Sequence, residues 1–353
     1  GPPAPAAPAA PGVPPPLLAR GGQRGLGAAG TAASTPHAAT AAAALAVAGA
    51  AAASAARGGR RRGAGKSRLA RQRRRAEAPE ARRGSEGAFF GPWADWLEQH
   101  LLAALPALRR HPLPSHLASA GEPPAAAIGT RVFSGELAEG CPIRRFRVTL
   151  VSDGEKLQAM NAAAYPAYEL GPVPILGADL LSFNGHQRLL FGVDWAPMAT
   201  DEAYSEARIA PYLAELRRGP RFAGLAGDPT GRFYGQRPEF FSPHMFFARP
   251  DGATALQPEG ALWQVFREYA SQYLAMLRDA SAASAAASAS AVQLAKRRQA
   301  DFDHWHAERD PALPIFKRMF GSEWTDEYVD TVLFPGSVLV RSAAAAEATL
   351  GRE

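Results

Sequence analysis

Three aspartates sit where a carboxyl group could move protons. Asp179 lies inside the run PILGADLLSF (174–183), Asp194 inside Val193-Asp194-Trp195-Ala196-Pro197, and Asp310 directly before Pro311. If Asn184-Gly185 closes a two-residue hairpin, Phe183 opposes His186, and alternation puts Asp179 and Asp194 on one face of a sheet. Their registers then differ by four residues, about 13 Å at the usual rise, too far for a contact pair. A carboxylate on a helix-covered face is costly, so it is either paired or raised in pKa and able to donate a proton. Both options stay open for Asp179. Asp194, at a strand end, reads more simply as an acceptor for nearby backbone amides. Asp310-Pro311 reads as a helix start, with Asp as N-cap and Pro at the first helical position.

Other chemistries lack their residues. His304 and His306, two apart on a presumed helix, cannot share a face, and His304 with Glu308 makes two ligands, not a metal site. Gly63-Ala64-Gly65-Lys66-Ser67 resembles the end of a phosphate-binding loop, but Arg60 stands where the first glycine belongs and no strand precedes it. No Ser-His-Asp order and no dinucleotide glycine fingerprint stands out. A single cysteine, Cys141, excludes a disulfide framework and any cysteine-based zinc or iron–sulfur site. Electrons, if this chain uses them, must come from a partner.

The 353 residues carry a formal charge of +6, unevenly spread. Residues 1–83 hold thirteen Arg and one Lys against Glu77 and Glu80, a net of +12, which leaves −6 on the remainder. A general nucleic-acid role for the globular part is therefore disfavoured. The stretch 38–56 is mostly Ala, too weakly apolar for a permanent anchor, and an Arg-rich tract without an acid before Glu77 follows it. Acid-poor, Arg-rich tracts are the composition of plastid or mitochondrial transit peptides, and one that follows a hydrophobic run points to a two-part plastid address, the alternative being a plain disordered Ala/Arg tail. Residues 1–83 are expected to be a disordered targeting region and the mature domain to lie off the membrane.

The elements that must hold the aspartates begin after Gly84. Trp93, Trp96, Leu97, Leu101, Leu102 and Leu105 recur at helical spacing. Phe146, Val148 and Leu150 then alternate with Arg145, Arg147 and Thr149, Asp153-Gly154 turns the chain, and Leu157–Tyr165 returns. The strands around Asn184-Gly185 follow, with another expected over Phe240–Ala248. The last third is helical: a stripe of Trp263, Phe266, Tyr269, Tyr273 and Met276, an Ala/Ser insert over 281–291 that is either a loose connection or a helix extension, a helix near 292–308, and another through Phe316 and Phe320. Hairpin-linked strands flanked by helices predict an α/β fold, a three-layer α/β/α sandwich with a central antiparallel sheet. The domain is expected to span 84–336 and to leave 337–353 as a tail.

Several of these blocks, in order, resemble the ferredoxin-dependent bilin reductases: RRFRVTLVSDGEKLQAMNAAAYP, PILGADLLSF, LLFGVDWAPM, QRPEFFSPHMFFAR, and HAERDPALPIFKRMFGSEWTDEYVDTVLFP. The likeness spans about 88–336. Within the family, the LQxxNxxAYP, GxDLLxF and AERDPA features are similar to the 15,16-dihydrobiliverdin:ferredoxin oxidoreductases. Asn161 and Thr149 stand where phycocyanobilin-forming relatives have His and Glu. The resemblance implies two-electron reduction of biliverdin IXα at its C15 methine bridge. It further implies no tightly bound cofactor, reduced ferredoxin as electron donor and partner, and a next bilin reductase as a further partner. It makes Asp179 and Asp310 the expected catalytic acids and places Asn161 and Asp194 at the substrate. Arg237 and Arg249, flanking the FFSPHMFFA segment, are candidate partners for the bilin propionates. Ferredoxin docking is expected on Arg217, Arg218, Arg221, Lys317 and Arg318. Two other readings remain: a reductase of different regiospecificity, forming phycoerythrobilin or phytochromobilin, or a non-catalytic bilin carrier on the same fold.

Overall fold

The computed structural model describes residues 88–350, apart from 123–124, 137, 228–239 and 284–286. The targeting region expected over 1–83 lies outside the described residues, as does Arg237. In chain order the elements are α1 (Gly91–Ala104), β1 (Arg109–His111), α2 (Ser115–Ala118), β2 (Ser119–Gly121), β3 (Ala127–Ser134), β4 (Ile143–Asp153), β5 (Leu157–Pro166), β6 (Ile175–Phe183) and β7 (Arg188–Ala196). There follow α3 (Glu202–Arg208), α4 (Ala210–Arg218), α5 (Pro220–Ala223), β8 (Phe246–Ala248), α6 (Ala261–Ala283), α7 (Ala289–Arg309), α8 (Leu313–Phe320), α9 (Ser322–Tyr328) and α10 (Gly336–Leu350). Among the described residues, no single helix is long and apolar enough to cross a membrane.

The strands form one antiparallel sheet of eight, ordered β1-β3-β4-β5-β6-β7-β8, with β2 also pairing β3. Alternation sorts its two faces. Phe146, Met160, Ala162, Leu176, Leu180, Phe191 and Val193 join the core under α1 and α6. On that side Arg131 donates to Glu98 at 2.5 Å and to Asp95 at 2.9 Å, tying α1 to β3. The expected stripe on α6 is wholly buried, and its tyrosines still find polar partners. Tyr273 Oη donates to the carbonyls of Ala164 and Pro174, and Tyr269 Oη to that of His244. The other face meets α7, α8 and α9, where Phe316, Tyr328, Val332 and Phe334 cluster with Ile128, Val132 and Leu157. Helices on both faces give the three layers expected.

Three local expectations change, and an open one is decided. The loop after β6 has four residues, because Asn184, Gly185 and His186 all take positive φ and Phe183 pairs with Arg188. The strand expected from Phe240 shrinks to β8, leaving Phe240 and Phe241 to pack elsewhere. Of the two readings of the Ala/Ser insert, the described residues favour helix extension: α6 runs to Ala283, and Ser288 caps α7 by accepting from Ala291 N at 3.3 Å. Residues 337–353, expected to be a tail, are helical to Leu350. Ser337 is fully buried, and Gly336 N donates to Asp303 Oδ2 at 2.8 Å.

Candidate functional site

Between the α7–α9 face of the sheet and those helices lies a pocket of about 610 Å³, solvent at its mouth included. Cross-strand pairing builds its floor in two rows. Arg147 pairs with Ala163, Ala163 with Gly177, and Gly177 with Asp194. One step along, Thr149 pairs with Asn161, Asn161 with Asp179, and Asp179 with Gly192. Ala163, Gly177 and Gly192 leave the centre almost free of side chains, and a Cβ added at Gly177 would meet nothing within 4 Å. Phe240, Phe241, Met245, Phe302, His306, Asp310 and Phe334 supply the walls.

Asp179 projects from mid-strand into this space, and Asn161 Nδ2 donates to its Oδ1 at 3.0 Å. Asp310 enters from the turn after α7. It is the C-cap of that helix rather than the N-cap of the next, since α8 starts only at Leu313. Its Oδ1 still accepts Ala312 N at 2.8 Å, a local bond of the kind Asp favours before Pro. Burial, then the charge of Asp179, pushes the Asp310 carboxyl up to about 7. The two acids thus face one cavity from opposite layers, and one of them holds its proton near neutral pH.

Asp194 also lines the pocket, where three hydrogen bonds hold its carboxylate. It accepts from Trp195 N and Ser242 N, both at 2.8 Å, and from Ser242 Oγ at 2.5 Å. Burial nonetheless raises it to about 6. These bonds fasten the segment carrying Phe240, Phe241 and Met245 to the sheet. The corrected hairpin places Asp194 two residues from Asp179 in register, about 7 Å along the strand, not the 13 Å expected.

Arg249 departs from expectation: it is exposed, stacks on Phe247 and does not line the pocket. Of the cations expected to form a docking patch, Lys317 is paired with Asp326 at 2.9 Å and Arg217 donates to the Pro243 carbonyl. Arg218 and Arg318 are exposed, whereas the side chain of Arg221 lies outside the described residues.

Two pocket residues escaped the sequence reading. His306 was weighed only as a metal ligand. Its Nδ1 donates to the Phe302 carbonyl at 2.9 Å, burial lowers its pKa to about 4, and Phe240, Phe241, Phe302, Trp305 and Phe334 surround the neutral ring. The signal was there in the aromatic residues one and four positions before it. His304 instead meets Glu308 at 3.2 Å, and among the described residues no cluster of three potential metal ligands exists. Arg147, the other omission, is 1% exposed and donates from Nη1 to Thr149 Oγ1 at 3.2 Å. Thr149 and Thr130 share hydroxyl bonds with each other and with Tyr328 of α9.

The antiparallel α/β/α sandwich thus carries an acid-bearing pocket with largely apolar walls between its sheet and its C-terminal helices. The family model described as "Ferredoxin-dependent bilin reductase" matches residues 108–335, and the chain belongs to that family. It is thus an oxidoreductase that takes electrons from ferredoxin. It is 34% identical over 197 residues to the 15,16-dihydrobiliverdin:ferredoxin oxidoreductase of Synechococcus sp. (strain WH7803), covering 55% of this chain and 78% of that protein. The same-named protein of Nostoc punctiforme is 32% identical over 196 residues, or 56% and 75% of the two chains. Among solved structures, tomato phytochromobilin synthase in complex with biliverdin has the same fold, with a TM-score of 0.58 at 18% identity over 70% of this chain and 83% of that one.

Proposed function

We propose that this chain reduces biliverdin IXα to 15,16-dihydrobiliverdin, with the bilin lying on the Ala163–Gly177–Gly192 floor between Asp179 and Asp310. The observation that carries this reading is the pair of acids facing one pocket, with Asp310 raised to about 7. Support for the C15 bridge as the target comes from curated relatives of that activity at 32–34% identity, and from Asn161 and Thr149 at the positions where phycocyanobilin-forming relatives carry His and Glu.

The reduction replaces the C15=C16 π bond by two C–H bonds, using two electrons and two protons. Ferredoxin supplies electrons singly, and the open-chain tetrapyrrole holds the unpaired one by conjugation. The acids supply protons. A carboxyl titrating near 7 is populated as the acid at working pH and is still strong enough to release its proton. Asn161 orients the Asp179 carboxyl through its Oδ1. The pair of pocket acids speaks against a mere bilin carrier, which has no use for them. In this reading no prosthetic group takes part, the product passes to a further bilin reductase, and the enzyme works in a plastid, as the acid-poor segment 1–83 supports.

The test is anaerobic incubation of the protein with biliverdin, ferredoxin and a ferredoxin-reducing system. The product expected has its conjugation interrupted at C15. A product with the C15 bridge intact and an end ring reduced would overturn the regiochemistry. A bilin bound but returned unchanged would overturn the activity.

A further inference from the structure

Arg147 is the only Lys or Arg among the described residues that line the pocket. At 1% exposure its guanidinium is out of water, and among the described residues no carboxylate lies within ion-pair distance of it. Nη1 bonds the Thr149 hydroxyl, whereas Nε has no hydrogen-bond partner among the described residues. A buried cation without a counter-charge opposes folding, and a stable core alone would be better served by an apolar side chain. Burial raises Asp310, Tyr165 and Tyr328 and lowers His306, and the Arg147 charge acts on all four in the lowering direction. Arg147 stands in the floor row of Ala163 and Gly177, beside the row of Asn161 and Asp179.

We propose that Arg147 is an electrostatic catalytic residue that holds the negative charge placed on the bilin by the first electron, before a proton arrives. This rests on the pocket being the bilin site. Ferredoxin is oxidised by one electron, and the tetrapyrrole gains that electron and one negative charge spread over its conjugated chain. Asp310 and Asp179 deliver protons only afterwards, and a second electron completes the pair of C–H bonds. Between those events the charge needs a cation that cannot itself be deprotonated, which Arg provides and Lys or His does not. Fixed to a central strand, the guanidinium needs no reorganisation when the charge appears.

The test compares wild type, Arg147→Gln and Arg147→Lys, each loaded with biliverdin, by spectral titration, by the first one-electron reduction potential of the bound bilin, and by single-turnover electron uptake. Arg147→Gln is expected to bind biliverdin within a few-fold of wild type, but with a more negative potential and electron uptake slowed by about 10²-fold, the scale of a lost preorganised donor. Arg147→Lys is expected to restore most of the potential near neutral pH and to lose it at high pH in a step that wild type lacks. Asp179, Asp310, His306, Tyr165, Tyr328 and Arg145 surround the site in both proteins, so the difference between them isolates residue 147. Should Arg147→Gln fail to fold, this extra step in Arg147→Lys decides the matter. An unchanged potential in Arg147→Gln, or identical pH profiles for wild type and Arg147→Lys, overturns the role of Arg147. Failure of wild type to bind biliverdin overturns instead the placement of the bilin in this pocket.

Discussion

Asn161 stands directly across the β5–β6 ladder from Asp179, and its side-chain amide donates to one carboxylate oxygen at 3.0 Å. Mid-strand positions are the most rigid the fold offers, so the Asp179 carboxyl is held in place by two backbones already locked together. Replacing Asn161 by Ala removes that bond without crowding the pocket. Turnover is expected to drop by more than bilin affinity does, a split that steady-state kinetics beside spectral titration would detect.

Asp179→Asn keeps shape and hydrogen-bonding capacity but removes the acid. Biliverdin should still bind, while turnover falls by ~10²–10⁴-fold, the range for a lost acid–base group, and a bilin radical builds up. Electron paramagnetic resonance during anaerobic turnover checks this. Near-normal reduction by the variant would sink the assignment of Asp179.

Asp310 ties activity and stability to pH in opposite ways when it is mutated. Its carboxyl is raised in the folded state from 3.8 to about 7. The folded protein therefore holds this proton more tightly than the unfolded chain. That stabilising contribution is full below about 3.8 and is lost as pH climbs through about 7. Asp310→Asn cannot lose it. The melting temperature of the variant should match wild type near pH 3.5 and equal or exceed it at pH 8. Turnover should fall at every pH, and in wild type the rate should decline as pH rises above about 7.

Ser242→Ala tests the fastening of the aromatic wall. It deletes the 2.5 Å bond to Asp194 and leaves that buried carboxylate with two backbone donors. A stability loss of about 1–3 kcal/mol follows from an under-satisfied buried acceptor. Because Phe240, Phe241 and Met245 hang on this contact, KM for biliverdin should rise more than kcat falls. Denaturant melts and steady-state kinetics measure the two effects.

Side-chain parity explains how much of the site was legible. Asp179 and Asp194 were placed on one face correctly, because lengthening the β6–β7 loop from two residues to four preserves which side each residue points to. Their spacing was not legible, because Asn184-Gly185 signals a two-residue turn and nothing local shows that His186 also takes positive φ and lengthens the loop. Asp310 was recognised as a capping aspartate, but Pro311 fits a turn as well as a first helical turn, so the wrong helix end was chosen. Arg147 was invisible because RRFRVTL alternates like a strand with one wet face; only the arrival of α9 and its Tyr328, far along the chain, buries that face. The helices and the sheet depend on local periodicity and were readable, whereas the chemistry depends on which distant element covers which face.

The bond from Gly336 N to Asp303 has a practical bearing on how this enzyme is made. Asp303 is buried, accepts Tyr165 Oη on one oxygen and Gly336 N on the other, and a Cβ at position 336 would press within 2.8 Å of it. The likeness to the family ends at residue 335, one position before this contact. A gene trimmed to that boundary would yield a chain that keeps every pocket residue and still leaves a half-satisfied carboxyl under α7. Such a protein should express poorly or aggregate, and extending it through α10 should rescue it.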